Sequence, residues 1–234
     1  MKRKFADGIL EMMDRPDANQ AVLEDDLRNL RTINRHFGGL SALRNAALPL
    51  GLKKNSGDTI TILDLASGSG DQPLSLVSAF LRAGRKVRIT AVDRNEIMLQ
   101  TARSYVGGME EIQFERRDIL DLPYADASFD LVTCSLAIHH FTRGEGIKIL
   151  REMNRLSSVG FVVNDLSRSL SGAVSAWVYS RVTTRNPMTR YDSVLSVLRA
   201  YRKDELDAMA SEAGIQPVRI FHAPLFRLVV VKEK

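Results

Sequence analysis

A glycine-rich segment, Asp64 to Asp71 (DLASGSGD), lies between a short apolar run and a predicted helix. Gly68 and Gly70 allow the backbone to turn sharply and to approach a ligand where a Cβ atom would clash. The start of the following helix, with Asp71 as its predicted cap and Pro73 in its first turn, offers free N–H groups to an anionic group. Because simple strand-to-helix turns use the same residues, this segment alone leaves ligand binding open.

Asp93 ends the next apolar run, 23 residues after Gly70. An acid at a strand end with this spacing can bind the two ribose hydroxyls of an adenosine. Taken alone, Asp93 is equally well explained as the cap of the following helix. Together with the glycine segment, it favours adenosine binding.

The glycine segment differs from two common nucleotide-binding motifs. Pro73 stands where the dinucleotide motif G-x-G-x-x-G has its third glycine, and no G-K-[ST] follows as in a P-loop. The neighbouring acids Asp64 and Asp71 disfavour a pyrophosphate. They fit a cationic ligand better, such as a sulfonium that carries an α-amino group.

Short β-branched runs alternate with helical patterns along most of the chain. Strands are predicted at 59–66, 86–93, 111–118, 128–137 and 159–165, with helices at 72–83, 95–106 and 145–155. This alternation predicts right-handed βαβ units and a parallel sheet. Later helices are predicted at 172–185, 193–201 and 203–213, and a strand hairpin at 215–222 and 226–231. Residues 1–54 are predicted to be helical, with a break at Gly38–Gly39.

A third segment, RDILDLPYADASFDLVTCSLAIHHF (117–141), completes an ordered set with ILDLASGSGD and AVD. In this order the motifs resemble the class I S-adenosylmethionine-dependent methyltransferases over about residues 60–165. They are most similar to the branch with quinone-biosynthesis C-methyltransferases and bacterial small-molecule O-methyltransferases. The resemblance implies an α/β, Rossmann-like fold with a mostly parallel seven-stranded sheet and a C-terminal antiparallel hairpin. It also implies an N-terminal helical cap (1–54) and a methyltransferase domain (55–234) with a helical lid inserted at about 166–202.

The resemblance further implies S-adenosylmethionine as cofactor and S-adenosylhomocysteine as product. In that family the acidic residue that ends the second strand, here Asp93, binds the ribose. The acidic residue after the third strand, here Asp118, accepts a hydrogen bond from the adenine amino group. From the methionine portion through the adenosine to the transferred methyl group, the implied contacts are Asp64, Ala66, Ser67, Gly68, Gly70, Asp93, Arg94, Met98, Asp118, Ile119, Cys134 and Ser135. The chain departs from the family at Ala66, which replaces the first glycine, and at 155–160, where the turn before the fifth strand is shortened.

His139 and His140 follow the fourth predicted strand and are the candidate general bases, because histidine titrates near neutral pH. One of the two is expected to pack under the sheet, and His139 is favoured as the base. Acceptor contacts are expected from Asn164 and Asp165 at the end of the fifth strand and from three aromatic residues of the lid, Trp177, Tyr179 and Tyr191. A helix cap, or simple core packing, explains these five residues as well. No metal site is expected.

The leading functional hypothesis is O-methylation of a small phenolic or polyketide-type acceptor. It draws on a weaker resemblance of NDLSRS and of residues 190–199 to methyltransferases of bacterial polyketide and phenolic-lipid pathways. The alternative is C-methylation of a prenylated quinol. A nucleic-acid methyltransferase and a non-catalytic cofactor-binding subunit are more distant alternatives.

Composition sets limits on partners and location. The chain has 234 residues, a formal net charge of +5 and one cysteine, Cys134, so no disulfide framework or cysteine metal cluster is expected. Its basic start is not followed by the apolar core of a secretory peptide, which predicts a cytoplasmic protein. The expected partner is an aromatic or lipid-like small molecule rather than nucleic acid. Contact with a membrane surface and the oligomeric state stay open.

Overall fold

The chain folds into helices and strands that alternate around one sheet, as a computed structural model shows for residues 1–5 and 9–234. The helices are α1 Gln20–His36, α2 Gly39–Gly51, α3 Asp71–Arg82, α4 Glu96–Val106, α5 Arg143–Leu156, α6 Leu170–Thr183, α7 Pro187–Arg199 and α8 Lys203–Glu212. The strands are β1 Ile60–Leu65, β2 Val87–Asp93, β3 Ile112–Arg116, β4 Phe129–Ser135, β5 Ser157–Leu166, β6 Arg219–Ala223 and β7 Arg227–Glu233. Short 3-10 turns add Met12–Asp14 and Ile138–His140.

The sheet has seven strands in the order β3-β2-β1-β4-β5-β7-β6. Strands β1 to β5 pair in parallel, and β7 runs antiparallel to both β5 and β6. The predicted parallel sheet and the C-terminal hairpin are therefore confirmed. The carboxyl ends of β1, β2, β4 and β5 meet at one edge, where ligands bind in folds of this kind.

Alternate residues of the central strands pack against helices on opposite faces of the sheet. Leu63 and Val132 join a core that contains Met153 of α5 and Met209 of α8. Ile62 and Leu131, one position earlier, join the core with Phe80 of α3. Helices on both faces explain why these strands are continuous apolar runs rather than alternating ones.

The break predicted at Gly38–Gly39 is present: α1 ends at His36, and α2 begins after Gly38, whose φ of 71° places it in the left-handed region. Helix α7 begins at Pro187, six residues before the predicted start at 193. Asn186 caps it by accepting from the N–H groups of Met188 and Thr189. Asn followed by Pro is a strong start signal that outweighs the apolar periodicity used for the prediction.

Two local expectations are wrong. Gly70, not Asp71, occupies the cap position of α3, and the Asp71 carboxylate instead accepts from Asn34 Nδ2 at 2.9 Å. The described residues before Met12 are not helical. Residues 6–8, which also belong to the predicted cap, lie outside the described residues, and the division into cap and domain stays a prediction.

Residues 9–16, here called the N-terminal strap, cross the edge of the sheet where the strands end. The N–H groups of Met12 and Met13 donate to the Asp192 carboxylate of α7 at 2.7 and 3.1 Å. Helix α7 also packs on α1, where Thr189 Oγ1 donates to Asp26 at 2.6 Å. The strap, α1, α6 and α7 thus form the lid over the carboxyl ends of the strands. Throughout 1–5 and 9–234, the helices are all too short or too polar to cross a bilayer.

Candidate functional site

Two cavities lie side by side under this lid. The larger one, of about 620 Å³, is bordered by the loops that follow β1, β2 and β3. The smaller one, of about 260 Å³, lies between the strap, α1, α6 and α7. Met13, Leu136 and His140 line both cavities, so a ligand in one would lie next to a ligand in the other.

Asp93 organises the larger cavity through its two carboxylate oxygens. One accepts from the N–H of Gly68 and the other from the N–H of Asn95, each at 2.9 Å. Burial raises the pKa of Asp93 above its ordinary value, although these two hydrogen bonds act in the opposite direction. Asp93 thus fixes the glycine loop and the start of α4 while it lies on the cavity wall.

The two glycines of the loop serve different purposes. Gly68 has a φ of 52°, and no atom of the described residues lies within 4 Å of the position that its Cβ would take. Gly68 also lines the larger cavity, so we expect a long side chain here to compete with a ligand for that space. Gly70 has a φ of 78°, and its missing Cβ allows close packing against Ala102 and Val106 of α4. Ala66, which also has a positive φ, adopts a backbone conformation that non-glycine residues seldom use.

The opposite wall of the larger cavity carries the residues expected near the adenosine. Met98 and Ile119 present apolar surface, and the exposed Asp118 carboxylate accepts from the N–H of Leu120 at 2.9 Å. Arg94 pairs with Asp14 of the strap at 3.0 Å. The structure therefore brings together Ala66, Gly68, Asp93, Arg94, Met98, Asp118 and Ile119 around one cavity.

Other predicted cofactor residues lie behind this wall. Asp64 is buried, accepts from Thr133 Oγ1 at 2.6 Å and has a pKa raised by burial to about 7. Ser67 donates to the carbonyl of Asp64 at 2.9 Å. Cys134 is part of the apolar core, and burial raises the pKa of its thiol well above the ordinary value. The predicted contact of Cys134 with the methyl group does not fit this position, because β4 turns its side chain into the core and leaves Leu136 and Ala137 at the cavity.

His139 lies on the wall of the smaller cavity with its ring held from behind. Its Nδ1 is 2.6 Å from Asp165 Oδ1, and its N–H donates to Asp165 Oδ2 at 3.0 Å. Burial alone would raise the pKa of Asp165, but the facing His139 ring lowers it below its ordinary value. Nε2 of His139 has no hydrogen-bond partner within the described part of the chain. The other ring nitrogen, Nε2, is buried at the cavity wall and faces Glu11 Oε1 at 3.6 Å.

His140 is held by a carboxylate in the same way as His139. Its Nδ1 is 2.6 Å from Asp14 Oδ2, and its ring lies 4.3 Å from that of His139. Burial alone would raise the pKa of Asp14, but His140 and Arg94 lower it to about 2. Both rings line a cavity, but the His139 ring is buried whereas the His140 ring is partly exposed. The expectation that one of the two has only a packing role stays a prediction. The strap supplies the partner that keeps His140 there.

Glu11 was not foreseen from the sequence. It is buried between the two histidines, with Oε1 3.6 Å from Nε2 of His139 and Oε2 3.8 Å from Nε2 of His140. Burial raises its pKa to about 7, although Ser196 Oγ donates to Oε2 at 2.8 Å. These three residues place donor atoms within 4.8 Å of one another, a set that could also hold a divalent cation. The expected absence of a metal site therefore needs an experimental test.

The smaller cavity combines apolar walls with unsatisfied polar atoms. Its apolar surface comes from α1, α6 and the β4 loop, and Tyr179 contacts Phe37 edge-to-face at 4.5 Å. Within 1–5 and 9–234, five buried polar atoms on its walls lack a partner: Glu11 Oε1, Asp26 Oδ2, His139 Nε2, Ser193 Oγ and Arg227 Nη1. Buried polar groups are normally paired, so this set points to a ligand that carries polar groups of its own.

Four of the five predicted acceptor residues lie elsewhere. Trp177 and Tyr191 are exposed and line a separate outer groove, because they lie on the outward faces of α6 and α7. Asn164 is buried and donates from Nδ2 to the carbonyl of Gly39 and to Ser135 Oγ. Asp165 lies behind His139. Of the five residues, only Tyr179 lines the smaller cavity.

Comparison with known proteins agrees with this geometry. Residues 62–160 match the family described as methyltransferase domain. A curated relative, demethylmenaquinone methyltransferase of Staphylococcus aureus (strain MRSA252), is 31% identical over 107 residues, which are 46% of this chain. The match covers 42% of that relative's length.

Solved structures show the same fold. A SAM-dependent methyltransferase of Aquifex aeolicus aligns with a TM-score of 0.60 and 18% identity over 89% of this chain and 97% of its own. Human N-acetylserotonin methyltransferase in complex with SAM aligns with a TM-score of 0.66 and 17% identity over 92% of this chain and 56% of its own. An O-methyltransferase family 2 protein of Planctomyces limnophilus, in complex with apigenin, aligns with a TM-score of 0.62 and 18% identity over 90% of this chain and 61% of its own. The Rossmann-like methyltransferase fold predicted from the motifs is confirmed.

Proposed function

We propose that the chain transfers the methyl group of S-adenosylmethionine to the oxygen of a small phenolic or polyketide-type acceptor, because residues 62–160 match the methyltransferase-domain family. The observation that carries this proposal is the pair of adjoining cavities. The larger holds the residues of the cofactor motifs, and the smaller holds a histidine backed by a carboxylate. Leu136 and His140, which line both, mark where the two ligands would meet.

The larger cavity fits the cofactor in shape and chemistry. The space left by the missing Cβ of Gly68 admits a ligand against the loop, and the Asp93 carboxylate is placed for the ribose hydroxyls. Met98 and Ile119 would hold the adenine ring, with Asp118 accepting from its amino group. When bound, S-adenosylmethionine supplies an electrophilic methyl carbon. The protein's task is then to align the acceptor and to exclude water.

We propose His139 as the general base that removes the acceptor's proton. In this proposal Asp165 accepts from Nδ1–H and stabilises the imidazolium that forms, while Nε2, buried beside Glu11 at the wall of the smaller cavity, takes up the proton. A phenol has a pKa of about 10, so it is largely protonated at neutral pH and gains from such a base. General-base catalysis of this kind contributes roughly 10²–10⁴-fold. His140, backed by Asp14, is the alternative base.

The smaller cavity favours a compact aromatic acceptor. Its volume of about 260 Å³ and its apolar walls suit a small ring system, and its unpaired polar atoms suit ring substituents that form hydrogen bonds. The similarity to a demethylmenaquinone methyltransferase supports a second candidate, C-methylation of a prenylated quinol. The same histidine would serve that reaction, because phenol deprotonation also activates the ring carbon.

The test is methyl transfer from S-adenosylmethionine with a trideuterated methyl group to a panel of phenols and prenylated quinols, followed by mass spectrometry. The proposal predicts a labelled methyl ether, which fragmentation and acid hydrolysis distinguish from a ring-methylated product. Dialysis against EDTA should leave the rate unchanged. A rate that EDTA abolishes and Mg²⁺ or Zn²⁺ restores would show that Glu11 and the histidines act through a cation.

Two other outcomes identify the remaining hypotheses. Binding of S-adenosylhomocysteine without transfer to any acceptor would favour a non-catalytic cofactor-binding subunit. A salt-dependent mobility shift with RNA, accompanied by labelled RNA, would favour a nucleic-acid methyltransferase. The cytoplasmic location stays a prediction.

A further inference from the structure

Helix α6 carries an apolar stripe on its outward face. Leu170, Val174, Trp177, Val178 and Val182 recur at three- and four-residue steps, which places them on one side of the helix. They are among the most exposed apolar side chains of the described residues, at 70% for Leu170, 50% for Trp177 and 80% for Val182. A contiguous exposed apolar surface of this kind marks an interaction site more often than a scattered residue does.

The inner face of the same helix is already occupied. Gly172, Ala176 and Tyr179 line the smaller cavity, and Tyr179 contacts Phe37. The fold therefore does not need the outer stripe for its core. A helix that is apolar on both faces is expected to be covered on both faces.

The charged residues that flank the stripe along the chain are all basic. Between residues 166 and 191 the sequence has four arginines and no acidic residue. Arg168 is buried and paired with Glu205, whereas Arg181 and Arg185 are exposed beside the stripe. Arg181 stacks over the Trp177 ring at 4.5 Å. Next to it, a groove of about 410 Å³ is lined by Lys4, Trp177, Arg181, Arg190 and Tyr191 together with apolar residues of α7.

We propose that this outer face of α6, with the adjoining groove, docks on the surface of a lipid bilayer that contains anionic lipids. The apolar stripe would enter the acyl boundary while the arginines contact the headgroups, and Trp177 and Tyr191 suit the interface between them. A second copy of the chain fits less well, because a two-fold interface would set this arginine set against itself. Docking would bring the smaller cavity close to the bilayer surface, where lipid-like acceptors are found.

The test measures cosedimentation with large unilamellar vesicles made of phosphatidylcholine alone or of an equal mixture with phosphatidylglycerol. The double variant Val178→Asp/Val182→Asp places two charges within the apolar stripe, at positions that are exposed to solvent. Leu81→Asp, at a similarly exposed apolar residue on α3, is the matched control. Thermal melting and S-adenosylhomocysteine titration of each variant show whether the fold and the cofactor site survive, independently of docking.

We expect wild-type protein to bind the mixed vesicles at least about tenfold more tightly than vesicles of phosphatidylcholine alone, since basic residues near an anionic surface each strengthen binding. The double variant should lose at least about tenfold in binding, and Leu81→Asp should bind as wild type does. Absence of binding to mixed vesicles at low salt overturns the proposal, as does an equal loss in Leu81→Asp. If wild-type protein is a dimer that does not bind vesicles, and the double variant is a monomer, the stripe binds a second copy of the chain and the proposal is overturned.

Discussion

The two cavities are built in different ways. The walls of the larger one come mainly from loops that follow successive strands, with the strap and the start of α1 along one side, and the Asp93 oxygens are paired with nearby backbone N–H groups. The walls of the smaller one come from the strap, α1, α6, α7 and the hairpin, which lie far apart in sequence. Among the described residues, several buried polar atoms of the smaller cavity have no partner.

This difference indicates different degrees of preorganisation. The larger cavity satisfies its polar groups before a ligand arrives, so its shape is fixed by the fold. The smaller cavity leaves costly unpaired groups at Glu11, Asp26 and His139, which a suitable acceptor would satisfy. We therefore expect changes in the larger cavity to alter cofactor affinity, and changes in the smaller one to alter turnover and stability.

The largest effect is expected for His139→Asn. Loss of the proposed base should lower kcat about 10²–10⁴-fold while the affinity for S-adenosylhomocysteine stays the same. Steady-state kinetics with the best acceptor of the panel, beside calorimetry, measures both. His222→Asn, at an exposed histidine of β6, should behave as wild type. An unchanged kcat for His139→Asn, with a loss in His140→Asn, would move the base to His140.

The next prediction concerns stability and pH. Burial and the neighbouring Asp192 and Asp25 carboxylates raise the pKa of Asp26 to about 7. Above its ordinary pKa of about 4, the unfolded chain releases a proton that the folded chain retains, so wild-type stability falls as pH rises towards 7. Asp26→Asn removes this loss. From pH 5 to pH 8, the free energy of unfolding of the variant should therefore rise by about 1–3 kcal/mol relative to that of wild type.

Urea unfolding at pH 5 and pH 8 measures this difference. Asp58→Asn, at an exposed acid, should show no pH-dependent gain. The difference in free energy of unfolding between Asp26→Asn and wild type could be the same at both pH values. In that case burial does not raise the pKa of Asp26, and the smaller cavity is better solvated than its geometry indicates.

A smaller effect is expected on cofactor affinity. Asp93→Asn should weaken S-adenosylhomocysteine binding about 10–100-fold, because hydrogen bonds to a charged group contribute roughly 1.5–3 kcal/mol. Asp118→Asn should lose less than about tenfold, since its carboxylate is exposed to water. Calorimetric titration compares the two. Equal losses would show that the buried and the exposed acid contribute alike, against the expected preorganisation.

The smallest effect separates two aromatic residues of α6. Tyr179→Ala removes part of the wall of the smaller cavity and should raise KM about tenfold through lost apolar contact. Trp177→Ala, on the outer face, should change KM less than about twofold with a water-soluble acceptor. The opposite order would place the acceptor in the outer groove.

The larger cavity was predictable because its signals are local. Gly68 and Asp93 each lie at the end of a β-branched run, and the alternation of strands and helices brings such ends to one edge. The seven strands of the sheet follow from the same runs. The late start predicted for α7 shows the limit of periodicity, since the cap at Asn186 and Pro187 determines where that helix begins.

The smaller cavity was less predictable because tertiary packing positions its residues. Glu11 and Asp14 lie in a segment without regular periodicity, and contacts with Asp192, His140 and Arg94 more than 75 residues away hold that segment in place. Trp177 and Tyr179 illustrate the same limit. They are two positions apart on a helix that is apolar on both faces, so the sequence did not indicate which one faces the cavity.

The central claim is that the larger cavity binds the methyl-donor cofactor. Calorimetric titration of the purified protein with S-adenosylhomocysteine, beside NAD and the variant Gly68→Arg, tests it most directly. The account predicts binding of S-adenosylhomocysteine alone, lost in Gly68→Arg because the new side chain fills the cavity. Absence of binding, or a preference for NAD, would contradict the assignment of the glycine loop and Asp93, and the proposed methyl transfer with it.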